Sequence, residues 1–161
     1  MGRAKAEPRL RPAKRTDIDW IVAQEQRPDL APFIHRWPRQ QHLANLTDPG
    51  KRYLIAERDG GPLGFVILAG LETPARDIEL VRMAVAEPGR GLGQPLLRRL
   101  IDLAFDELGA RRLWLDVFDD NPRAIRAYQA VGFREDGERR AGVAKSNGET
   151  GTLVIMAIEA E

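Results

Sequence analysis

Hydrophobic residues along this chain follow two spacings, one typical of strands and one typical of helices. Residues 78–85 are rich in β-branched and apolar side chains and predict a strand, whereas apolar residues recur at helical spacing over 96–108. Three glycines at alternate positions separate the two segments, in the sequence EPGRGLGQ. The stretch 78–97 therefore predicts a strand, a glycine-rich turn and the opening of a long helix, and we expect the rest of the chain to be organised around it.

The pattern on either side of this stretch predicts a mixed sheet. Further strands are predicted at about 9–13, 53–58, 63–69, 112–118, 133–143 and 151–158, and further helices at about 16–28, 32–46 and 121–132. Asp59-Gly60-Gly61 signals a hairpin, which joins antiparallel strands. The long helix after the central strand predicts a right-handed crossover to a parallel neighbour. The polar connection 145–151, KSNGETG, is expected to be mobile.

Composition narrows the classes of function. A chain of 161 residues predicts one domain, here 9–161 after a solvated tail at 1–8, and a net charge of +1 gives no electrostatic case for nucleic acid or an acidic membrane. The absence of cysteine excludes disulfides and thiolate chemistry. The two histidines, His35 and His42, are not spaced as a metal-binding pair, so no metal site is expected. Without an apolar run of about 18 residues or a signal peptide, a cytoplasmic protein is expected.

The glycine turn is a candidate anion site. A helix N-terminus carries unpaired N–H groups and partial positive charge, and glycines allow a large anion to approach the backbone. A G-x-x-x-x-G-K-[ST] loop is excluded, because Gly93 is followed by Gln94 and Pro95. The dinucleotide pattern G-x-G-x-x-G also fails at both possible starts. A tight connection that binds nothing remains an alternative.

Two motifs occur together in this order. ELVRMAVAEPGRGLGQPLL is similar to an acetyl-CoA pyrophosphate signature, [Q/R]-x-x-G-x-[G/A], and DVFDDNPRAIRAYQAVGF is similar to N-x-x-A-x-x-x-Y-x-x-x-G-F. Both are signatures of the GNAT N-acetyltransferase superfamily, which the chain resembles over essentially its full layout. One position departs from the pattern, because Pro88 stands where the family has Gln or Arg.

The resemblance implies the GNAT fold, an α/β domain with a mixed central sheet of about six or seven strands flanked by about four helices. It implies acetyl-CoA as the acyl donor and no metal. The residues implied to hold the donor are Met83, Ala84, Val85, Gly89, Arg90, Gly91, Leu92, Gly93, Gln94, Asn121, Ala124 and Tyr128.

Acetyl transfer from a thioester to an amine requires a deprotonated amine, a donor for the oxyanion and an acid for the departing thiolate. The resemblance places Tyr128 as the acid and the Met83 N–H as the oxyanion donor. Glu79 is the candidate base, because it lies four residues before Met83 on one strand and is expected on the same face. A core tyrosine and a solvated strand-end carboxylate are the alternatives, and a water chain or no dedicated base would also serve.

The acceptor pocket is expected between the 17–46 helices and the final hairpin. Glu25, Phe33 and Trp37 are its candidate side chains, together with Arg36 and His42. For each of them, packing or a place on the surface is the favoured alternative to a ligand role. The mixture of charges does not identify one acceptor. A small-molecule amine, an antibiotic-like amine, and a protein N-terminus or lysine all remain open. The family habit of dimerising through the last strands makes a homodimer an expectation, and a non-catalytic acyl-CoA sensor is the alternative function.

Overall fold

In the computed structural model, which describes residues 8–59 and 61–161, eight strands form one mixed sheet. The strands are β1 (Arg9–Pro12), β2 (Arg52–Arg58), β3 (Gly61–Ala69), β4 (Asp77–Val85), β5 (Arg112–Phe118), β6 (Arg134–Glu135), β7 (Arg140–Ala144) and β8 (Thr150–Glu159). The helices are α1 (Ile18–Glu25), α2 (Arg39–Leu46), α3 (Gly93–Asp102) and α4 (Pro122–Ala130). A 3₁₀ turn at Arg15–Asp17 precedes α1, and a π-helical turn at Leu103–Glu107 continues α3.

The strand order is β1-β2-β3-β4-β5-β8-β6, with β7 also paired to β8. Among the strands of the described residues, only β4 and β5 pair in parallel, and α3 connects them as the predicted crossover. All other pairs are antiparallel, including the β2–β3 hairpin, in which Arg58 faces Gly61. The predicted mixed α/β fold is confirmed.

The helices cover the two faces of the sheet with two separate cores. α3 and α4 cover one face, where Leu96, Leu97 and Leu100 pack against strands β2 to β5. α1 covers the other face, where Ile18 and Ile21 meet β2 and β3. We call these the α3/α4 face and the α1/α2 face. Burial of about 100 Å² of apolar surface contributes about 2.5 kcal/mol to the free energy of folding, so both cores stabilise the sheet.

Two predicted elements are shorter in the structure than the pattern indicated. The helix predicted at 32–46 begins only at Arg39, because Pro38 favours an extended backbone at the residue before it. The strand predicted at 133–143 is divided into β6 and β7, because Gly137 turns the chain with a φ of 113°.

The predicted N-terminal tail is described only at its last residue. Most of the predicted tail lies outside the described residues, and Pro8, its last residue, is buried. No helix within residues 8–59 and 61–161 is long and apolar enough to cross a membrane.

Candidate active site

The neighbouring strands β4 and β5 separate part-way along their length. Their parallel pairing covers only residues 77–79 against 112–114, although β4 continues to Val85 and β5 to Phe118. Beyond that point, the edge of β4 that faces β5 has no strand partner in the described part of the chain. An open strand edge offers main-chain N–H and C=O groups to an extended ligand.

The main chain of Met83 and Val85 faces this opening. The Ala86 N–H donates to the Leu63 carbonyl on β3 at 2.7 Å. Successive residues of a strand point their main-chain N–H and C=O groups to opposite edges. The groups of Met83 and Val85 therefore face the other way from those of Ala86, toward β5. The Val85 carbonyl accepts a hydrogen bond from Arg27 Nη1 at 2.7 Å. The Met83 N–H, predicted as the oxyanion donor, therefore lies at the mouth of the opening.

The glycine turn after β4 adopts a backbone conformation that residues other than glycine avoid. The φ angle is 83° at Gly89 and 68° at Gly91, in the left-handed region. A Cβ added at either position would meet nothing within 4 Å. α3 begins at Gly93, and the N–H groups of its first turn have no acceptor inside the helix. The turn therefore presents main-chain donors to open space, which suits a bulky anion such as a pyrophosphate.

A cavity of about 360 Å³ runs from this turn along the open edge of β4. We call it the donor cavity, after the acyl donor that the sequence predicts. Most of the residues predicted to hold that donor line it, namely Met83, Ala84, Val85, Gly89, Gly91, Leu92, Gly93, Asn121, Ala124 and Tyr128. The fold thus brings both sequence motifs to one cavity.

Arg90 and Gln94, which were predicted to contact the phosphates, do not line the donor cavity. Arg90 lines a different cavity of about 300 Å³ with Arg58 and Arg98, and its Nε lies 3.5 Å from Glu87 Oε2. Gln94 is exposed in the first turn of α3 and lines neither cavity. Glycine spacing predicts the course of the backbone, but it does not indicate to which side of the turn the neighbouring side chains project.

Helix α4 carries the second motif to the opening. Asn121 caps it by accepting a hydrogen bond from the Ala124 N–H at 3.3 Å, and Pro122 occupies its first position. Tyr128 lies two turns later and packs edge-on against Phe133, with ring centroids 5.7 Å apart. The cap and the tyrosine therefore face the same cavity, as the spacing of seven residues predicts.

A second cavity, also of about 360 Å³, opens from the donor cavity on the α1/α2 side of the sheet. We call it the acceptor cavity. The two cavities share six lining residues, namely Leu30, Phe33, Met83, Asn121, Ala124 and Tyr128. Phe33, a predicted acceptor residue, thus contributes to both walls. A group that reacts between two bound molecules would lie at this junction.

A β-bulge in β4 corrects the predicted relation between Glu79 and Met83. Ile67 of β3 faces Arg82, whereas Leu68 faces Leu80, so Val81 is an extra residue. The bulge inverts the alternation, and Met83 packs in the α3/α4 core with Leu80. Glu79, which alternates with Leu80, therefore projects from the opposite face. The same-face prediction is wrong, although Glu79 still lines the acceptor cavity.

Two carboxylates meet in the acceptor cavity. Burial, together with a smaller contribution from the nearby Asp116 carboxylate, raises the pKa of Glu79 to about 7. Asp116 is exposed on the wall of the cavity, where partial desolvation by the nearby protein raises its pKa and the guanidinium groups of Arg140 and Arg82 act in the opposite direction. Burial raises the pKa of Tyr128 to about 12, with a further contribution from Asp116. At neutral pH, Tyr128 therefore keeps its proton and Glu79 is close to half-protonated. Asp116 was not predicted from the sequence, since an acidic residue on a strand carries no motif of its own.

A buried ionic network forms the wall behind this cavity. Glu25 is 1% exposed, and its two oxygens contact the Arg82 guanidinium and His42 Nε2. Arg82 also donates to the His35 carbonyl at 2.8 Å and stacks on Trp37 at 4.9 Å. Glu25 and Trp37, both predicted to contact the acceptor, line neither cavity. They hold Arg82 in place instead, because both carboxylate oxygens of Glu25 are already engaged.

His42 connects two parts of this network through its two ring nitrogens. A carboxylate paired with arginine only accepts hydrogen bonds, so His42 Nε2 donates to Glu25. The Tyr53 hydroxyl accepts from Asn45 Nδ2 at 3.2 Å and lies 2.7 Å from His42 Nδ1, to which it donates. Burial raises the pKa of Tyr53 to about 12. α1, α2, β2 and β4 are therefore joined by one buried network.

The β7–β8 connection closes the acceptor cavity from the other side. Ser146 Oγ donates to the Ile34 carbonyl at 2.6 Å and accepts from the Arg36 N–H at 3.0 Å. Lys145 is 5% exposed, contacts Asp120 and lies over the Phe118 ring at 4.9 Å. The predicted mobile connection is therefore anchored to the loop before α2. The segment KSNGETG is polar, which is typical of a mobile loop. The partners that hold it lie far away in the sequence, so the segment itself does not indicate them.

The chain is similar to known proteins over most of its length. A profile of the Acetyltransferase (GNAT) family matches residues 16–133. The chain belongs to the GNAT acetyltransferase family. The match includes the glycine turn, the central strand and α4, so the motif-based prediction of the family is confirmed.

Individual GNAT relatives act on different amines, as their names state. The chain is 34% identical to the N-alpha-acetyltransferase RimI of Mycobacterium tuberculosis over 107 residues, which are 65% of each protein. It is 28% identical to an aminoglycoside N(6')-acetyltransferase type 1 of Klebsiella pneumoniae over 133 residues, 74% of this chain and 64% of that protein. The chain therefore spans about two thirds of the length of these relatives.

Solved GNAT structures share the whole fold. The crystal structure of spermidine N-acetyltransferase from Vibrio cholerae, in complex with CoA and spermine, superposes with a TM-score of 0.84. The superposition covers 95% of each chain at 22% sequence identity. The likeness concerns the fold.

The sequence departs from the GNAT signature at Pro88, which lines the donor cavity but has no N–H to donate. A different residue, missed by the sequence analysis, lies beside it. Arg27 lines the same cavity and is held by Asp29 at 2.7 Å and by the Val85 carbonyl. No local signal marks Arg27, because its contact with β4 bridges 58 positions of the chain.

Proposed function

We propose that this protein is an acetyl-CoA-dependent N-acetyltransferase that acts on a primary amine by direct attack in a ternary complex. The observation that carries the proposal is the meeting of the donor and acceptor cavities at Met83 and Tyr128. The open edge of β4 and the glycine turn suit an extended thioester with a phosphate handle. The acceptor cavity reaches the same point from the other face of the sheet, so both substrates fit at once.

Tyr128 is proposed as the general acid. Its hydroxyl keeps its proton at neutral pH because its pKa lies near 12. A thiolate leaving at the junction of the two cavities would take that proton. General acids of this kind typically accelerate a reaction by about 10²–10⁴-fold.

The main chain at Met83 is proposed to stabilise the oxyanion. Its N–H faces the opening between β4 and β5 and is held there by strand geometry, so no reorganisation is needed during the reaction. A donor of this kind contributes roughly 3–4 kcal/mol to the lowering of the barrier.

Glu79 is proposed as the base that receives a proton from the acceptor amine, directly or through water. A pKa near 7 makes it a better proton acceptor than an ordinary carboxylate. The bulge at Val81 does not remove this role, because Glu79 and Asp116 line the acceptor cavity together.

Relatives widen rather than narrow the choice of acceptor. Their names specify an N-alpha position, aminoglycosides and spermidine, and each of these is compatible with a primary amine. We propose an amine acceptor, either a small molecule or a protein, for this chain as well.

The test is thiol release from acetyl-CoA in the presence of a panel of primary amines. Release that depends on the amine, together with an acetylated product of the expected mass, would support the proposal. Tight binding of acetyl-CoA without release for any amine would instead favour a non-catalytic acyl-CoA sensor.

Replacement of Tyr128 separates chemistry from binding. Tyr128→Phe should lower kcat by about 10²–10⁴-fold, because the packing against Phe133 remains while the acidic proton is lost. Binding of acetyl-CoA, measured by calorimetry, should change little. An unchanged kcat would remove Tyr128 from the mechanism.

A further inference from the structure

The acceptor cavity contains an arginine that the proposed chemistry does not use. Arg140 begins β7 and lines this cavity. It pairs with Leu153 of β8, whereas Asp116 of β5 pairs with Ile155 on the other edge of β8. Leu153 and Ile155 lie two residues apart and therefore share a face of the sheet. Arg140 and Asp116 consequently project from the same face, with β8 between them.

The other arginine of the cavity is already matched by a buried carboxylate. Arg82 is 8% exposed and pairs with Glu25 behind the cavity wall. Arg139, next to Arg140 in sequence, pairs with Glu135 at 2.8 Å. Among the described residues, the ion pairs within 4.0 Å do not include Arg140. Its guanidinium, exposed on β7, is therefore available to a bound molecule.

Charge is distributed along the cavity in the order of the strands. Glu79 on β4 and Asp116 on β5 lie on the two strands that flank the opening to the donor cavity, whereas Arg140 on β7 lies on the far side of β8. Neighbouring strands are about 4.8 Å apart, so the backbones of β5 and β7 are about 10 Å apart across β8. An acceptor would thus meet negative charge at its amine end and positive charge a few bonds further on.

We propose that the acceptor is an amine that also carries a carboxylate, as an amino acid does, and that Arg140 binds this carboxylate. A guanidinium presents a fork of N–H donors that matches a carboxylate in two parallel hydrogen bonds. A polycationic acceptor would bring a second ammonium against the same guanidinium, where like charges disfavour binding. This inference names the substrate class of the proposed N-acetyltransferase and rests on that function.

The test uses matched pairs of amines that differ only in the carboxylate: leucine and 3-methylbutylamine, phenylalanine and phenethylamine, lysine and 1,5-diaminopentane. The wild-type enzyme should prefer the carboxylated member of each pair in kcat/KM. Arg140→Gln should reduce that preference by about ten- to a hundredfold, because a charge-assisted hydrogen bond is lost. The loss should appear in the KM of the acceptor, with the KM of acetyl-CoA unchanged.

Arg139→Gln is the matched control, because it removes the same charge from the adjacent residue, which is paired outside the cavity. It should leave the preference of the enzyme unchanged. Circular dichroism and thermal unfolding of both variants should match the wild type, since both arginines are exposed.

Each other outcome has a definite meaning. Acetylation of amines with no preference for the carboxylated member, or a preference unaffected by Arg140→Gln, would overturn the inference and leave the proposed function intact. A variant that only moves the pH profile upward would also overturn it, since Arg140 would then act by keeping Asp116 ionised. Absence of thiol release with every amine would overturn the proposed function itself.

Discussion

The donor and acceptor cavities are built from different parts of the polypeptide. The donor cavity depends on main chain, namely the open edge of β4 and the left-handed glycines of the turn. The acceptor cavity depends on charged side chains held by buried partners, above all Arg82 between Glu25 and Trp37. Main-chain groups are the same in every residue, whereas a side-chain network depends on each member. The donor side should therefore tolerate most single changes, and the acceptor side should not.

The two walls of the acceptor cavity also depend on each other. One wall is the segment before α2, which Arg82 holds through the His35 carbonyl. The other wall is the β7–β8 connection, which Ser146 ties to that segment. A change in the buried network should therefore be transmitted to acceptor binding, while the glycine turn remains as it is.

The largest effect is expected from Glu25→Gln. Removal of one charge leaves Arg82 buried without its counter-ion, and breaking a buried pair in this way costs about 3–5 kcal/mol. For a domain of this size, the melting temperature should fall by about 10 °C. The KM of the acceptor should rise in the variant, while the Kd of acetyl-CoA should be unchanged.

Glu107→Gln provides the control for charge removal at the surface. Glu107 is paired with Arg99 at 3.3 Å but is 57% exposed, so its loss should cost less than about 1 kcal/mol. A double variant, Glu25→Gln with Arg82→Met, should recover part of the stability because no uncompensated charge remains. Equal melting temperatures for Glu25→Gln and Glu107→Gln would show that the network does not support the fold.

The same contrast explains what could be predicted from the sequence. Glycine spacing and the Asn121–Tyr128 spacing are local, so the donor cavity, its helix cap and the parallel crossover were all predictable. The role of Glu25 was not, because its partners lie 17 and 57 positions away. The bulge at Val81 was equally hidden, since VRMAV alternates plausibly in either register. One extra residue in a strand leaves no compositional trace, although it moves Glu79 to the other face.

An intermediate effect is expected from pH through Glu79. Because a base must be deprotonated and its pKa lies near 7, activity should rise with pH through that value. A primary amine with a pKa of about 10 adds its own slope of one in log(kcat/KM). The total slope should therefore fall from about two below pH 7 to about one above it.

Glu79→Gln tests the assignment of this inflection. For this variant, the slope of log(kcat/KM) against pH should be about one throughout. Its kcat/KM above pH 7 should be lower than that of the wild type. Retention of the inflection near pH 7 would assign the titration to another group, of which Asp116 is the nearest candidate. Because Glu79 lies on the acceptor side, the affinity for acetyl-CoA should show no inflection of this kind.

The smallest effect is expected on the donor side, from Gly91→Ala. An added Cβ meets open space, so the only cost is the left-handed backbone, about 1–2 kcal/mol for an L-residue. An exposed turn relaxes when free and must return to this conformation to bind, so the Kd of acetyl-CoA should rise by about five- to thirtyfold. Gly148→Ala is the matched control, since its φ is 86° with equally open surroundings, but it lies in the β7–β8 connection. It should lower stability by a similar amount without changing that Kd. If Gly91→Ala instead raised the KM of the acceptor alone, the division between a main-chain donor side and a side-chain acceptor side would be wrong.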